Sequence, residues 1–339
     1  MNTTIKRCIE FVAVAVITCV IALSSPLNPW MNNAFTAVQE DILDIAMSVR
    51  QGFLAYVELD GHYGPVVYEF FGLGFLPTET HLVQFIMETI VVFVSVTFLY
   101  KTAKLFTSPV FAIIATAIIT ILEWGQLTHA GAEELVFFVM SLSCYHIARQ
   151  LTSGFLSHHS YLLAIDLGLI FFLQPGYIFF WIVAIICFAI KFKVDGIDNK
   201  AYVIFWRSTF EGLLTVAVPM GLYLWYFKNA GAFLKQVVSY NFQNIGDFAG
   251  GIKLMFGNIW IIAIALLVVA IIVKAIQSES VTPLVSWLFI TIVAIIVVAL
   301  QGDNLPSFVE VVKPLYIVPL ASIFSLCDKV LGLKIEERY

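Results

Sequence analysis

The chain alternates long apolar stretches with short polar breaks, and the stretches approach membrane-spanning length. A helix that crosses a bilayer needs about 20 predominantly apolar residues, within a range of about 17–25. Ten segments meet or come near that length: 8–25, 80–100, 105–123, 132–149, 160–174, 176–192, 205–227, 254–275, 281–300 and 311–328. The fifth and sixth are one apolar run divided at Leu173-Gln174-Pro175-Gly176. We read that break as a tight hairpin near one membrane face; a single broken helix would leave nine spans. The expected fold class is an all-α polytopic membrane protein, one transmembrane domain over 1–339.

Composition supports this. Of 339 residues, 60% are hydrophobic and only 12% charged, whereas soluble domains carry about 25% charge. Cys8, Cys19, Cys144, Cys187 and Cys327 sit singly, which excludes a disulfide scaffold or a zinc knuckle. A net charge of −5 gives no nucleic-acid footprint. No GxxxxGK[ST] or GxGxxG motif points to a nucleotide.

Lys and Arg placement sets the expected orientation. With a cytoplasmic N-terminus, the outer side holds Arg50, Lys228, Lys235, Lys253 and Lys313, and the inner side the remaining thirteen of the 18. Both termini are then cytoplasmic. The first span has the basic start and apolar run of a signal peptide, but the membrane segments that follow favour retention as a span.

The inner loops are short. The outer side carries a long loop, 26–79, and a second sizeable one at 228–253. Within the first, Thr36 to Phe53 is amphipathic: Ile42, Ile45, Ala46, Val49 and Phe53 share one face, and Asp41, Asp44, Ser48 and Gln51 the other. The spacing predicts a helix lying on the membrane surface. An irregular, Gly- and Pro-rich segment at 53–79 is expected to follow and pack over a cavity.

The segment Gly52-Phe-Leu-Ala-Tyr56-Val-Glu58-Leu-Asp60-Gly61-His62-Tyr63-Gly64-Pro65-Val66-Val67-Tyr68 is dense in carboxylates and aromatics. It resembles the first outer loop of GT-C fold glycosyltransferases that use polyprenyl-phosphate sugars. These include protein O-mannosyltransferase-like enzymes and lipid A aminoarabinose transferases, in which an early acidic residue precedes G-x-x-x-Y-x-D-x-x-D-H-K-G-P-x-x-Y. Asp41 falls on the early acid, and Gly52, Tyr56, Glu58, His62, Gly64, Pro65 and Tyr68 fall on the pattern. Ala130-Gly-Ala-Glu133-Glu134-Leu, Ser239-Tyr240-Asn241 and Lys313-Pro-Leu-Tyr316-Ile-Val-Pro319 are similar to later segments of the family. The pattern's second Asp and its Lys are here Gly61 and Tyr63, and Gln174-Pro175 stands where a basic residue is common. The chain would be a short, partly divergent member.

The resemblance implies transfer of a sugar from a polyprenyl phosphate to an acceptor hydroxyl on a glycan, lipid or protein. The setting would be the outer face of a bacterial inner membrane, in cell-envelope glycan assembly. The hydroxyl proton needs a carboxylate base; Asp41 is the first candidate, with Asp44 and Glu58 in reserve. The phosphate needs cations or donors, for which His62, Lys313, Tyr316 and Arg50 are candidates. A divalent cation, magnesium or manganese, held by Asp41, Glu58 and Asp60 is the alternative. Tyr56, Asp60, Tyr63, Glu133 and Asn241 are expected to line the cavity. Two other classes stay open: a non-catalytic relative that binds a lipid-linked sugar or a membrane-protein partner, and a secondary transporter or lipid flippase.

Overall fold

The computed structural model describes residues 3–31, 34–76, 81–243, 246–256, 260–277, 280–301 and 313–333. Within them the regular structure is helical, with one isolated bridge between Ala55 and Leu59. In chain order the helices are α1 (Thr3–Ala22), α2 (Ala37–Arg50), α3 (Pro65–Leu73), α4 (Leu82–Lys104), α5 (Pro109–Leu122), α6 (Trp124–Leu127), α7 (Ala132–Ser153) and α8 (Ser157–Leu173). There follow α9 (Ile178–Val194), α10 (Asn199–Tyr226), α11 (Ala230–Phe233), α12 (Tyr240–Gln243), α13 (Phe248–Phe256), α14 (Trp260–Ile276), α15 (Thr282–Gln301) and α16 (Ile317–Val330).

Each of the ten apolar segments of the sequence has a helix, although residues 80, 257–259 and 311–312 of three of them fall outside the described residues. Among the described residues, three helices are long and apolar enough to cross a membrane: Leu82–Lys104, Pro175–Val194 and Lys313–Leu331. There are four if Asn199–Tyr226 and Ala230–Gln243, bent by 115°, count as one broken span. Pro109–Leu122, Ser157–Leu173, Ile264–Ile276 and Thr282–Val297 are apolar but shorter.

The break at Gln174 is a hairpin. A 3-10 turn over Pro175–Tyr177 reverses the chain, and Phe155, before α8, meets Phe192, near the end of α9, at 5.3 Å between ring centroids. Helix α10 starts at Asn199, six residues before the apolar run, because the Asp198 carboxylate accepts the Ala201 N–H. It packs on α8 through small residues: a Cβ on Gly212 would come within 2.2 Å of the Tyr161 carbonyl oxygen, and one on Gly168 within 2.9 Å of Val216. Close approach through small residues is how helices associate where solvent supplies no hydrophobic drive. Tyr161 and Thr215 add a hydrogen bond at 2.9 Å.

Side-chain contacts show that successive long helices run in opposite directions. At one end, Trp124 donates to Ser24, the Gly64 N–H to the Leu173 carbonyl, Gln174 to Asn241, and Lys313 pairs with Glu123. At the opposite end, Lys104 pairs with Glu10 at 2.9 Å, and Asp328 Oδ2 accepts from Thr107 Oγ1 at 2.6 Å and from the Ser108 N–H at 2.7 Å. Between the ends, buried Trp181 donates to Ser143, which donates to Asp166. That network satisfies a carboxylate that would otherwise be costly in an apolar interior.

Candidate functional site

The segment between α1 and α4 folds back as a cap over one end of the bundle. Its first half is α2, whose start follows from a capping box: Thr36 Oγ1 accepts the Gln39 N–H, and Gln39 Oε1 accepts the Thr36 N–H. Gln39 also donates to the His129 carbonyl and ties the helix to the entry of α7. Ile42, Leu43, Ile45 and Ala46 are buried, while Asp41 and Asp44 are exposed. The amphipathic spacing is thus realised over Ala37–Arg50.

The second half departs from the expected irregular segment. Residues 53–64 are irregular, but Pro65–Leu73 is helical. Pro65 sits at the first helical position, where its missing N–H costs nothing, and an apolar run follows. Residues 77–79 lie outside the described residues. Gly64 docks this half: its N–H donates to the Leu173 carbonyl at 2.8 Å, and a Cβ there would lie 1.9 Å from the Phe172 carbonyl oxygen. No larger residue fits that approach.

Around this docking point several candidate residues meet. Tyr56 is buried in a left-handed conformation, φ +68°, and donates from Oη to the Tyr63 carbonyl at 2.8 Å. A residue held there against its preference signals a tightly determined loop. His62 stacks on Tyr240 with ring centroids 3.7 Å apart, and its carbonyl accepts from Asn241 at 3.2 Å. Gln236 donates to the Tyr56 carbonyl at 2.7 Å and to Asp60 at 3.3 Å, and accepts the Gly61 N–H. Gln236 and Tyr240 hold the loop, and Gln236 carries no signal in the sequence that would have singled it out.

Tyr63 stands within electrostatic reach of both Glu133 and Asp41. Burial first, then the charge of Glu133 and the neighbouring Tyr68 and Asp41, push its phenol well above the usual value, so it is a neutral donor. Burial does the same to Tyr56 and Tyr68. Asp41, Glu133, Tyr63, Tyr68, His62, Asn241 and Tyr56 therefore belong to one locale of exposed carboxylate, neutral phenols and an imidazole.

Glu58 and Asp60 sit in the same loop, and the other candidates lie elsewhere. Glu58 accepts the Leu54 N–H at 2.7 Å and closes its own turn. Asp60 faces Gln236. Among the described residues no three His, Cys, Asp or Glu side chains are placed to hold a metal, so Asp41, Glu58 and Asp60 do not form the expected cation site. Arg50 is nine residues along α2 from Asp41, about 13 Å at 1.5 Å per residue, too far to share its phosphate. Lys313 is buried rather than at a wet helix end, with Nζ 3.1 Å from Glu123; Tyr316 feels the same carboxylate. Glu88 is fully buried and lies against Glu134, whose Oε2 accepts the Ala130 N–H at 3.1 Å.

No protein-family model, curated protein or solved structure matches this chain. The reading of the site therefore stands on its chemistry.

Proposed function

We propose that the chain is a GT-C-like membrane glycosyltransferase that moves a sugar from a polyprenyl phosphate to an acceptor hydroxyl. In this reading all ten apolar helices cross the membrane, both termini are cytoplasmic, and the cap lies on the outer face of a bacterial inner membrane. The observation that carries it is Asp41: an exposed carboxylate on a rigidly capped surface helix, beside Glu133 and the neutral phenol of Tyr63.

Asp41 accepts the hydroxyl proton as the acceptor oxygen attacks the anomeric carbon. The bond from that carbon to the phosphate oxygen breaks, and the polyprenyl phosphate leaves with its electron pair. Attack opposite the leaving group inverts the anomeric centre, as in other single-displacement sugar chemistry. Tyr63 and His62 offer donors to the developing charge. Glu133 keeps the locale acidic and shares the proton load with Asp41.

The test is incubation of the purified protein, in lipid nanodiscs, with labelled polyprenyl-phosphate hexoses and membrane extract. Label should leave the lipid, and Asp41→Asn should stop it without loss of folded protein. One observation favours the non-catalytic reading instead. Lys313, the cation best placed by sequence for the phosphate, is already neutralised by Glu123. Tight binding of the lipid-linked sugar with no label transferred under any condition would decide for that reading.

A further inference from the structure

A cavity opens at the same end of the bundle, between the end of α2, α3 and the end of α10. Its volume is about 340 Å3, within the range of about 300–1,000 Å3 typical of small-molecule sites. Arg50, Phe53, Glu69, Tyr223, Phe227 and Asn229 are among its lining residues. Neighbouring residues of α3 face different ways: the Tyr68 hydroxyl meets Gly61 and the Tyr63 N–H, whereas Glu69 accepts from Tyr223 Oη at 2.5 Å. The two residues of α3 thus face different neighbours, Tyr68 the loop and Glu69 the cavity.

The lining specifies a chemistry. Arg50 brings one positive charge and Glu69 one negative, so an anion would meet the carboxylate and a cation the guanidinium. Tyr223 occupies one oxygen of Glu69, leaving the other for a further donor. Asn229 is only 1% exposed, and its Oδ1 is buried with no hydrogen-bond partner. A buried acceptor left unpaired is costly, and a ligand donor would relieve it. Phe53, Tyr223 and Phe227 add aromatic surface, whose negative ring faces attract polarised C–H groups. A group that is neutral, both donates and accepts hydrogen bonds, and carries a C–H face is a polyhydroxylated ring.

Trp225 and Tyr226, close by at the end of α10, are 74% and 73% exposed. Exposed Trp and Tyr at a helix end mark the interfacial level of a membrane. We infer that the cavity bounded by Arg50, Glu69, Tyr223 and Asn229 binds a neutral sugar or other cyclic polyol at headgroup depth. Its role as the acceptor subsite rests on the proposed transferase function; the binding does not. The polyol can arrive free in solution or as the headgroup of a glycolipid, and both present the same hydroxyls.

The full chain in nanodiscs is labelled with an alkyl glucoside carrying a diazirine in its alkyl chain, and the cross-links are mapped by mass spectrometry. Labelling should concentrate on peptides containing Phe53, Leu73 and Phe227, and a diazirine phosphatidylcholine should not reproduce it. Asn229→Leu should lower that labelling about fivefold, the effect of losing one hydrogen bond. Glu69→Gln, a milder change at the surface, should lower it less and guards against misfolding of the first variant. Displacement by methyl glucoside or inositol identifies a free polyol as the ligand; displacement by a glycolipid alone identifies a headgroup. Asp41→Asn should abolish transfer and leave labelling intact; absence of transfer by the unaltered protein, with labelling preserved, would sink the transferase and keep the cavity. Labelling indifferent to Asn229→Leu and Glu69→Gln, equal with the phosphatidylcholine probe, or displaced best by a sugar phosphate would overturn the inference.

Discussion

The two ends of the bundle solve the same problem differently. At the end away from the cap, polar side chains satisfy one another. Asp328 caps the start of α5 through Thr107 and Ser108, Lys104 closes on Glu10, and His146 and His159 share a hydrogen bond at 3.0 Å. At the cap, polar side chains hold the backbone of the loop, while carboxylates such as Asp41 stay exposed. The first arrangement uses polar chemistry to finish a fold. The second leaves carboxylates exposed on a fixed platform, and the proposed function rests on that asymmetry.

The sharpest way to break this contrast is at Gly64. Alanine there would place a methyl 1.9 Å from a backbone oxygen that has nowhere to move. Gly64→Ala should abolish transfer and expose residues 36–76 to limited proteolysis, with helix content by circular dichroism unchanged. A variant that keeps both activity and protection would show that the cap need not dock.

The next largest effect separates the ends directly. Asp41→Asn should lower turnover by about 100- to 10,000-fold, the range for loss of a general base, whereas His146→Phe at the other end should change it less than about twofold. Comparable losses in both would remove the functional distinction between the ends.

Lys313 tests whether the cap end also contains purely structural polar groups. Lys313→Met leaves Glu123 buried without its partner and should cost about 3–5 kcal/mol of stability, read as a lower melting temperature. Adding Glu123→Gln should restore most of that loss. If the double variant also keeps a normal KM for the donor, the pair is structural; a raised KM would return Lys313 to the phosphate.

The smallest effect belongs to Tyr63. Tyr63→Phe removes one neutral donor and should slow turnover by up to about tenfold. Because burial and neighbouring charge keep the phenol protonated, wild type and variant should have parallel rate profiles between about pH 6 and 9. A profile that loses an alkaline limb in the variant would assign Tyr63 a proton-transfer role.

Much of this architecture was legible in the chain, for identifiable reasons. Apolar stretches near twenty residues allow little besides helices, and α2 announced itself through a 3.6-residue period, while its Thr36–Gln39 capping box emerged only in the structure. The helix over Pro65–Leu73 was hidden because Gly61, Gly64 and Pro65 read as turn signals, although Pro65 opens a helix as readily as it ends one. The burial of Lys313 was equally invisible: a lysine before an apolar run reads as a membrane-edge residue, and its partner Glu123 ends a helix far earlier in the chain. Gln236, in an unremarkable stretch, acquires its role only through contacts 175 and 180 residues away in sequence.

Those separations govern the order in which the protein can mature. The cap is synthesised early, but Gly61 lies 175 residues before Gln236, and Gln39 lies 90 before His129. At about 5–20 residues per second, the loop would wait on the order of 10–35 s before Gln236 emerges. During that interval only the earlier contacts, at His129 and Leu173, are there to hold it, and contacts between such distant residues are slow to form even afterwards. Nascent chains stalled just short of Gln236 should therefore yield a bundle whose cap is readily clipped, and release of the stall should render it resistant.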